Sequence, residues 1–177
     1  IHAGIIEPGH FRFSVIGERV LRLEQRLGYQ HKGVEKLFVG RNLAEGARLA
    51  GRVSGDSTCA YAWAYASAVE AACGASPPPR TLGLRALMLE RERVANHLGD
   101  LGALGNDAAL AFGFSQFMRL KEDWLRLNAK LFGHRFMMDR IVPGGTTLDL
   151  EAPALRAIVE QCEAVGREVK ALGKIYD

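Results

Sequence analysis

The sequence predicts a mainly α protein, a helical bundle with a small N-terminal antiparallel β-hairpin. Apolar residues alternate only within the first thirty positions, whereas most of the remaining chain repeats them every three or four. Gly and Pro occur mostly in short groups between these runs, so the elements are joined by short connections. The chain divides into a loop and hairpin over 1–30 and a helical bundle over 31–177, read as one domain truncated at both ends.

The segment from His10 to Tyr29 alternates Phe11, Phe13 and Val15, then Val20, Leu21 and Leu23, with Gly17 and Glu18 between the runs. That is the pattern of two paired strands joined by a tight Gly-containing turn. Val34, Leu37 and Phe38 mark one short helix, and a second begins near Asn42. A helix from Ser57 to Cys73 can be capped by Asp56, Ser57 or Thr58. Its Ala60, Ala64, Ala68 and Ala71 form a small-residue face suited to close helix packing.

The segment from Gly74 to Arg80, GASPPPR, is expected to be a stiff extended connector, because consecutive prolines disfavour helix. Two long helices follow, at about Thr81 to Leu104 and Phe114 to Phe132, antiparallel neighbours across a Gly-broken stretch. RFMMDRIVPGGTT reads as an extended connection closed by a turn, and a last helix runs from about Ala152 to Lys174.

Composition excludes more than it selects. At 177 residues, 48% hydrophobic and 24% charged, the chain can bury a sizeable core. A net charge of +3 arises from interspersed charges, so no basic stripe for nucleic acid is present. Cys59, Cys73 and Cys162 are odd in number and widely spaced, which fits a reducing, cytosolic setting better than a disulfide framework or a C-x-x-C metal site. The apolar run from Cys59 to Val69 falls short of the roughly 20 residues that span a bilayer. The first methionine is Met88, so an excised or processed piece is expected.

Three polar groups invite chemistry. Glu90, Arg93, Asn96, His97 and Asp100 recur at helical spacing, as either a solvated face or a paired buried network in which His97 titrates near neutrality. His2, Glu7 and His10 surround a Pro8-Gly9 turn. Arg52 to Tyr61, RVSGDSTCAY, places an Arg, an Asp and several hydroxyls at a helix start, where they can bind an anion or cap the helix.

The ordered motifs IHAGIIEPGHFRF, GYQHKGVEKLFVGR, RVSGDST, LERERVANHLGDLGALGND and RFMMDRIVPGG, spanning the chain to about Gly145, resemble the large subunit of group 4 nickel–iron hydrogenases of the formate hydrogenlyase type and its relative, the 49 kDa-type subunit of complex I, NADH-quinone oxidoreductase. The resemblance implies a piece of a larger hydrogenase-large-subunit-like fold. That family's nickel pattern is R-x-C-G-x-C-x-x-x-H, and Arg52, Ser54, Gly55, Ser57 and Tyr61 stand in its places. Both thiols are serines here, and a hydroxyl is a harder donor that resists ionisation, so nickel and any other metal are not expected. The family's second cysteine pair lies beyond Asp177.

In the complex I branch the same positions contribute to a quinone site. His2 matches a family histidine, the quinone-binding tyrosine position falls on Gly55, and Asn96 and His97 fall on an NH pair. Asp107 matches an acidic residue coupled to the site histidine, and Glu7 matches a glutamate that in the hydrogenases relays protons. The resemblance thus implies Glu7, His97 and Asp107 as proton-relaying or catalytic groups, and His2, Arg52, Ser54, Gly55 and Ser57 as cofactor-facing ones. It further implies a subunit of a membrane-associated NADH/quinone oxidoreductase or hydrogenase-like electron-transfer complex, docked to an iron–sulfur subunit and lining a quinone-like cavity between the hairpin and the helices. On this resemblance the fragment itself is expected to bind no cofactor, to be inactive in isolation, and to lie peripherally on the cytoplasmic face of the inner membrane through partner subunits. NADH oxidation, where the complex performs it, is expected on another subunit. The alternative is a catalytically degenerate scaffold within such a complex.

Overall fold

A computed structural model describes residues 8–176, so the candidates His2 and Glu7 lie outside the described residues. Strands β1 (His10–Ile16) and β2 (Arg19–Arg26) pair antiparallel through a turn at Gly17, whose φ of +57° suits glycine. The ladder slips by one residue between Ser14 and Val15. Every residue of β1, and all of β2 except Glu24, is exposed. The mainly helical fold with an N-terminal hairpin is as the sequence predicts.

Helices α1 (Val34–Phe38) and α2 (Leu43–Ala50) follow, and Asn42 starts α2 by exchanging hydrogen bonds with Glu45 (2.9 and 3.1 Å), a capping box. In α3 (Thr58–Cys73) the buried residues are Thr58, Cys59, Ala62, Ala66 and Glu70. The predicted face of Ala60, Ala64, Ala68 and Ala71 is therefore not the packing face: Ala64, Ala68 and Ala71 are exposed. In so Ala-rich a helix the spacing of small residues marks several faces alike, and the larger groups decide.

Helix α4 (Pro79–Asp107) begins inside the expected connector. Proline is tolerated in a first helical turn because its missing N–H would have no partner there, so only the residues before Pro79 stay extended. It also continues past Leu104, and Ala109, at φ +59°, turns the chain into α5 (Ala111–Phe132). The two run antiparallel: Trp124 Nε1 donates to Arg91 O (2.8 Å), and beyond it Gly102 meets Met118 and Gly105 meets Phe114. Small residues on α4 let the axes approach closely around buried Phe117, Leu120, Trp124 and Leu125.

The extended segment forms two short strands, β3 (Ile141–Val142) and β4 (Gly145–Thr146), around a Pro143-Gly144 turn. A buried ion pair holds this turn. Arg85, fully buried on α4, binds Glu70 of α3 (2.6 and 3.1 Å) and the carbonyls of Val142 (2.7 Å) and Gly145 (3.1 Å), while Glu70 accepts from Gly144 N (2.7 Å). Helix α6 (Ala152–Tyr176) packs on α5, and Tyr176 OH reaches Leu101 O (3.0 Å).

Candidate functional site

The segment Arg52–Ser57 links α2 to α3 and is tied down at several points. Arg52 forms a two-pronged pair with Asp139 (2.6 and 2.7 Å) and also donates to Arg48 O (2.6 Å). Asp139 adopts φ +61°, a conformation uncommon for a non-glycine residue, and its carboxyl is held below the ordinary carboxylate range by the Arg52 hydrogen bonds. Two sequence motifs thus meet, RVSGDST and RFMMDR. Arg52 is engaged in holding the loop, which leaves its guanidinium poorly placed to bind an anion.

Lys32 Nζ donates to Val53 O (2.5 Å), and Asn96 Nδ2 of α4 donates to Asp56 O (2.6 Å). The Ser54 hydroxyl donates to the Asp56 carboxylate (2.5 Å), and Gly55 is exposed at the tip. These residues do not fit nickel held by thiolates. At the two ligand positions stand hydroxyls, one of them hydrogen-bonded to a carboxylate, and among the described residues no group of three His, Cys, Asp or Glu is arranged around a metal.

None of Asp56, Ser57 or Thr58 caps α3 with its side chain, contrary to the sequence reading. The acceptor comes from α4: Glu92 takes the N–H groups of Cys59 (2.6 Å) and Ala60 (3.0 Å), one on each carboxylate oxygen. A carboxylate at a helix start meets the free N–H groups and the positive end of the helix dipole. Burial nevertheless pushes the Glu92 carboxyl above its ordinary range, the two backbone hydrogen bonds only partly opposing it. The buried Cys59 thiol is pushed up as well, by burial first and then by Glu92, so it is no thiolate nucleophile.

Glu92 also lines a cavity of about 550 Å³ between Gly55–Asp56, α4, α5 and the Arg135–Met137 segment. Ala95, Met118, Leu125, Phe136 and Met137 supply its apolar wall, and Asn96, Lys121 and Asn128 its polar groups together with a Glu122–Arg135 pair (2.6 Å). A second, more open cavity of about 640 Å³ lies between Gly28–Phe38 and Tyr61, Ala64 and Tyr65. It borders the end of the hairpin, where the sequence reading placed a cavity, but no residue of β1 or β2 lines it.

The polar seam on α4 is a solvated face at four of its five positions. Glu90 pairs with Arg93, Arg93 touches His97 Nε2 (3.2 Å), and these three and Asp100 are exposed. Asn96 alone turns inward to the loop. His97 sits one residue from this contact with its ring outward, and exposed Asp107 lies fifteen residues beyond Glu92, about 22 Å along the helix. The fold brings Arg52, Ser54, Gly55 and Ser57 together in one loop but sets His97 and Asp107 outside it. Sequence reasoning missed Glu92, Lys121 and Asp139. For Glu92 a signal existed: it interrupts the small and apolar stripe of Leu84, Met88, Ala95, Gly99 and Gly102, where a carboxylate must be satisfied internally.

No family model matches the chain. It is 35% identical over 173 residues to formate hydrogenlyase subunit 5 of Escherichia coli (strain K12), covering 97% of this chain and 30% of that protein. It is 36% identical over 151 residues to hydrogenase-4 component G of the same strain, covering 85% and 27%. With an NADH-quinone oxidoreductase subunit of Campylobacter hominis it shares 29% over 164 residues, covering 93% and 40%. The chain thus spans well under half the length of these relatives. Its fold matches a chain in the structure of the membrane-bound sulfane sulfur reductase, an archaeal respiratory membrane complex, with a TM-score of 0.83 at 23% identity, covering 96% of this chain and 46% of that one.

Proposed function

We infer that this chain, which is related to subunits of membrane-bound hydrogenase and complex I respiratory complexes, serves in electron transfer without a nickel site, contributing a quinone-like cavity and docking to an iron–sulfur subunit. The observation that carries this reading is the cavity beside Gly55 and Asp56. Its volume lies within the roughly 300–1,000 Å³ of small-molecule sites, and its apolar wall with a few convergent polar groups suits a ring bearing carbonyl oxygens. No helix among the described residues is long and apolar enough to cross a membrane, so attachment to the cytoplasmic face of the inner membrane would run through partner subunits. NADH oxidation, in a complex that performs it, belongs to another subunit.

A degenerate scaffold is the second reading. It is favoured by the engagement of Arg52 with Asp139 and by the outward placement of His97 and Asp107. Quinone-dependent oxidation by the whole complex, measured in His97→Ala and Asp107→Asn variants, separates the two. The electron-transfer reading expects a loss of about tenfold or more in at least one variant, as for a group that relays or tunes a proton. Unchanged rates in both leave the scaffold.

A further inference from the structure

We propose, resting on the quinone reading above, that Lys121 and Glu92 are the two polar ends of the headgroup site, Lys121 donating to a carbonyl oxygen of the quinone and Glu92 accepting from a hydroxyl of the quinol.

Lys121 is half-buried at the cavity wall, yet its ammonium forms no hydrogen bond or ion pair among the described residues. The neighbouring carboxylate that could take it, Glu122, is shared between Arg126 (3.1 Å) and Arg135 (2.6 Å). The lysine chain lies over Gly99 of α4, so close that an alanine Cβ there would stand 2.5 Å from Nζ. The missing side chain at Gly99 is what admits the ammonium to this position. A donor at a cavity wall with no protein acceptor has its hydrogen-bonding capacity open to an acceptor on a ligand.

On the same cavity Glu92 is only 8% exposed, and its two oxygens accept from Cys59 N and Ala60 N, with the Cys59 thiol as a further partner. A carboxylate oxygen has a second lone pair, which leaves acceptor capacity for a ligand hydroxyl. Met118, Leu125 and Phe136 supply the apolar surface for a ring between the two ends. The charge pattern selects against an anionic ligand, because Glu92 and Asp56 face the same space as Lys121, and the other cation there, Arg135, is already matched by Glu122. A neutral quinone gives Lys121 a carbonyl oxygen, and its quinol, whose hydroxyl oxygens accept and whose O–H groups donate, satisfies both ends.

The test uses the intact complex with duroquinone as acceptor, and ferricyanide as an acceptor too polar for the apolar cavity. Lys121→Met is expected to raise KM for duroquinone about tenfold, with kcat held within about twofold and the ferricyanide rate unchanged. Lys121→Arg, which keeps a donor, recovers most of the loss, and Glu92→Gln, which weakens the acceptor for the quinol hydroxyl, is expected to raise the inhibition constant of duroquinol about tenfold without raising KM for duroquinone. Should Lys121→Met also lower the ferricyanide rate through misfolding, Gly99→Ala decides instead, since it displaces the ammonium and is expected to raise KM in the same way. A wild-type complex that reduces duroquinone, with KM unchanged in the Lys121 and Gly99 variants and duroquinol inhibition unchanged in Glu92→Gln, overturns the roles of Lys121 and Glu92 alone. A wild-type complex that reduces ferricyanide but not duroquinone overturns the quinone reading itself.

Discussion

Asp139 shows how one residue fixes the loop that carries the site. Its carboxylate receives both prongs of Arg52 while its backbone occupies the left-handed region, so the ion pair offsets part of a conformation costing of the order of 1–2 kcal/mol. The sign of the pH effect follows from its depressed pKa. The pair stabilises the fold above the ordinary Asp value of 3.8 and ceases to do so as pH falls through the lower folded value. Because both side chains are about two-fifths exposed, the contribution is small, less than about 1 kcal/mol. Asp139→Asn is therefore expected to flatten the acid limb of the stability curve and leave the neutral Tm within a few degrees. Acid unfolding followed by circular dichroism, with an acid limb as steep as that of the wild type, would remove Asp139 from this role. Arg52 itself stood out in the sequence, but its partner lies 87 residues away and no local spacing connects them.

At the scale of elements, the Arg85–Glu70 pair joins α3, α4 and the β3–β4 turn through groups almost wholly out of water. Removing one partner strands the other charge, so Glu70→Ala is expected to cost about 3–5 kcal/mol, read as a lowered midpoint in urea unfolding. Replacing both, Glu70→Met with Arg85→Met, is expected to cost less than Glu70→Ala alone, because no buried charge remains. If the double variant is the less stable, the stabilisation lies in the polar network rather than in avoiding an unpaired charge. The order and rough limits of the helices were legible, since they follow from periods of two and 3.6 residues that each segment carries within itself. Their ends and inner faces were less so. The α3 cap comes from Glu92 on another helix, and Pro79 lies inside a helix that three consecutive prolines argued against.

At the scale of the molecule, the hairpin stands apart from the rest. Phe11, Phe13, Val15, Val20 and Leu23 are all exposed, whereas α4 and α5 share a packed core. A two-stranded sheet on which none of the described elements packs is marginal in water. Amides of β1 and β2 in the isolated chain are therefore expected to exchange at least about 100-fold faster than those of Met88 to Leu98. Equal protection would mean that the hairpin is stabilised in a way its exposure does not explain. The chain spans well under half the length of the curated relatives compared with it above. The sequence by itself determined the fold class, the order of elements and the serines at Ser54 and Ser57, because periodicity and side-chain chemistry are properties of the residues in place. Only the tertiary structure decided that Arg52 binds Asp139, that Glu92 caps α3, and that Lys121 faces a cavity from which His97 and Asp107 turn away. Those are meetings of residues distant along the chain, and packing alone selects which face of each helix takes part.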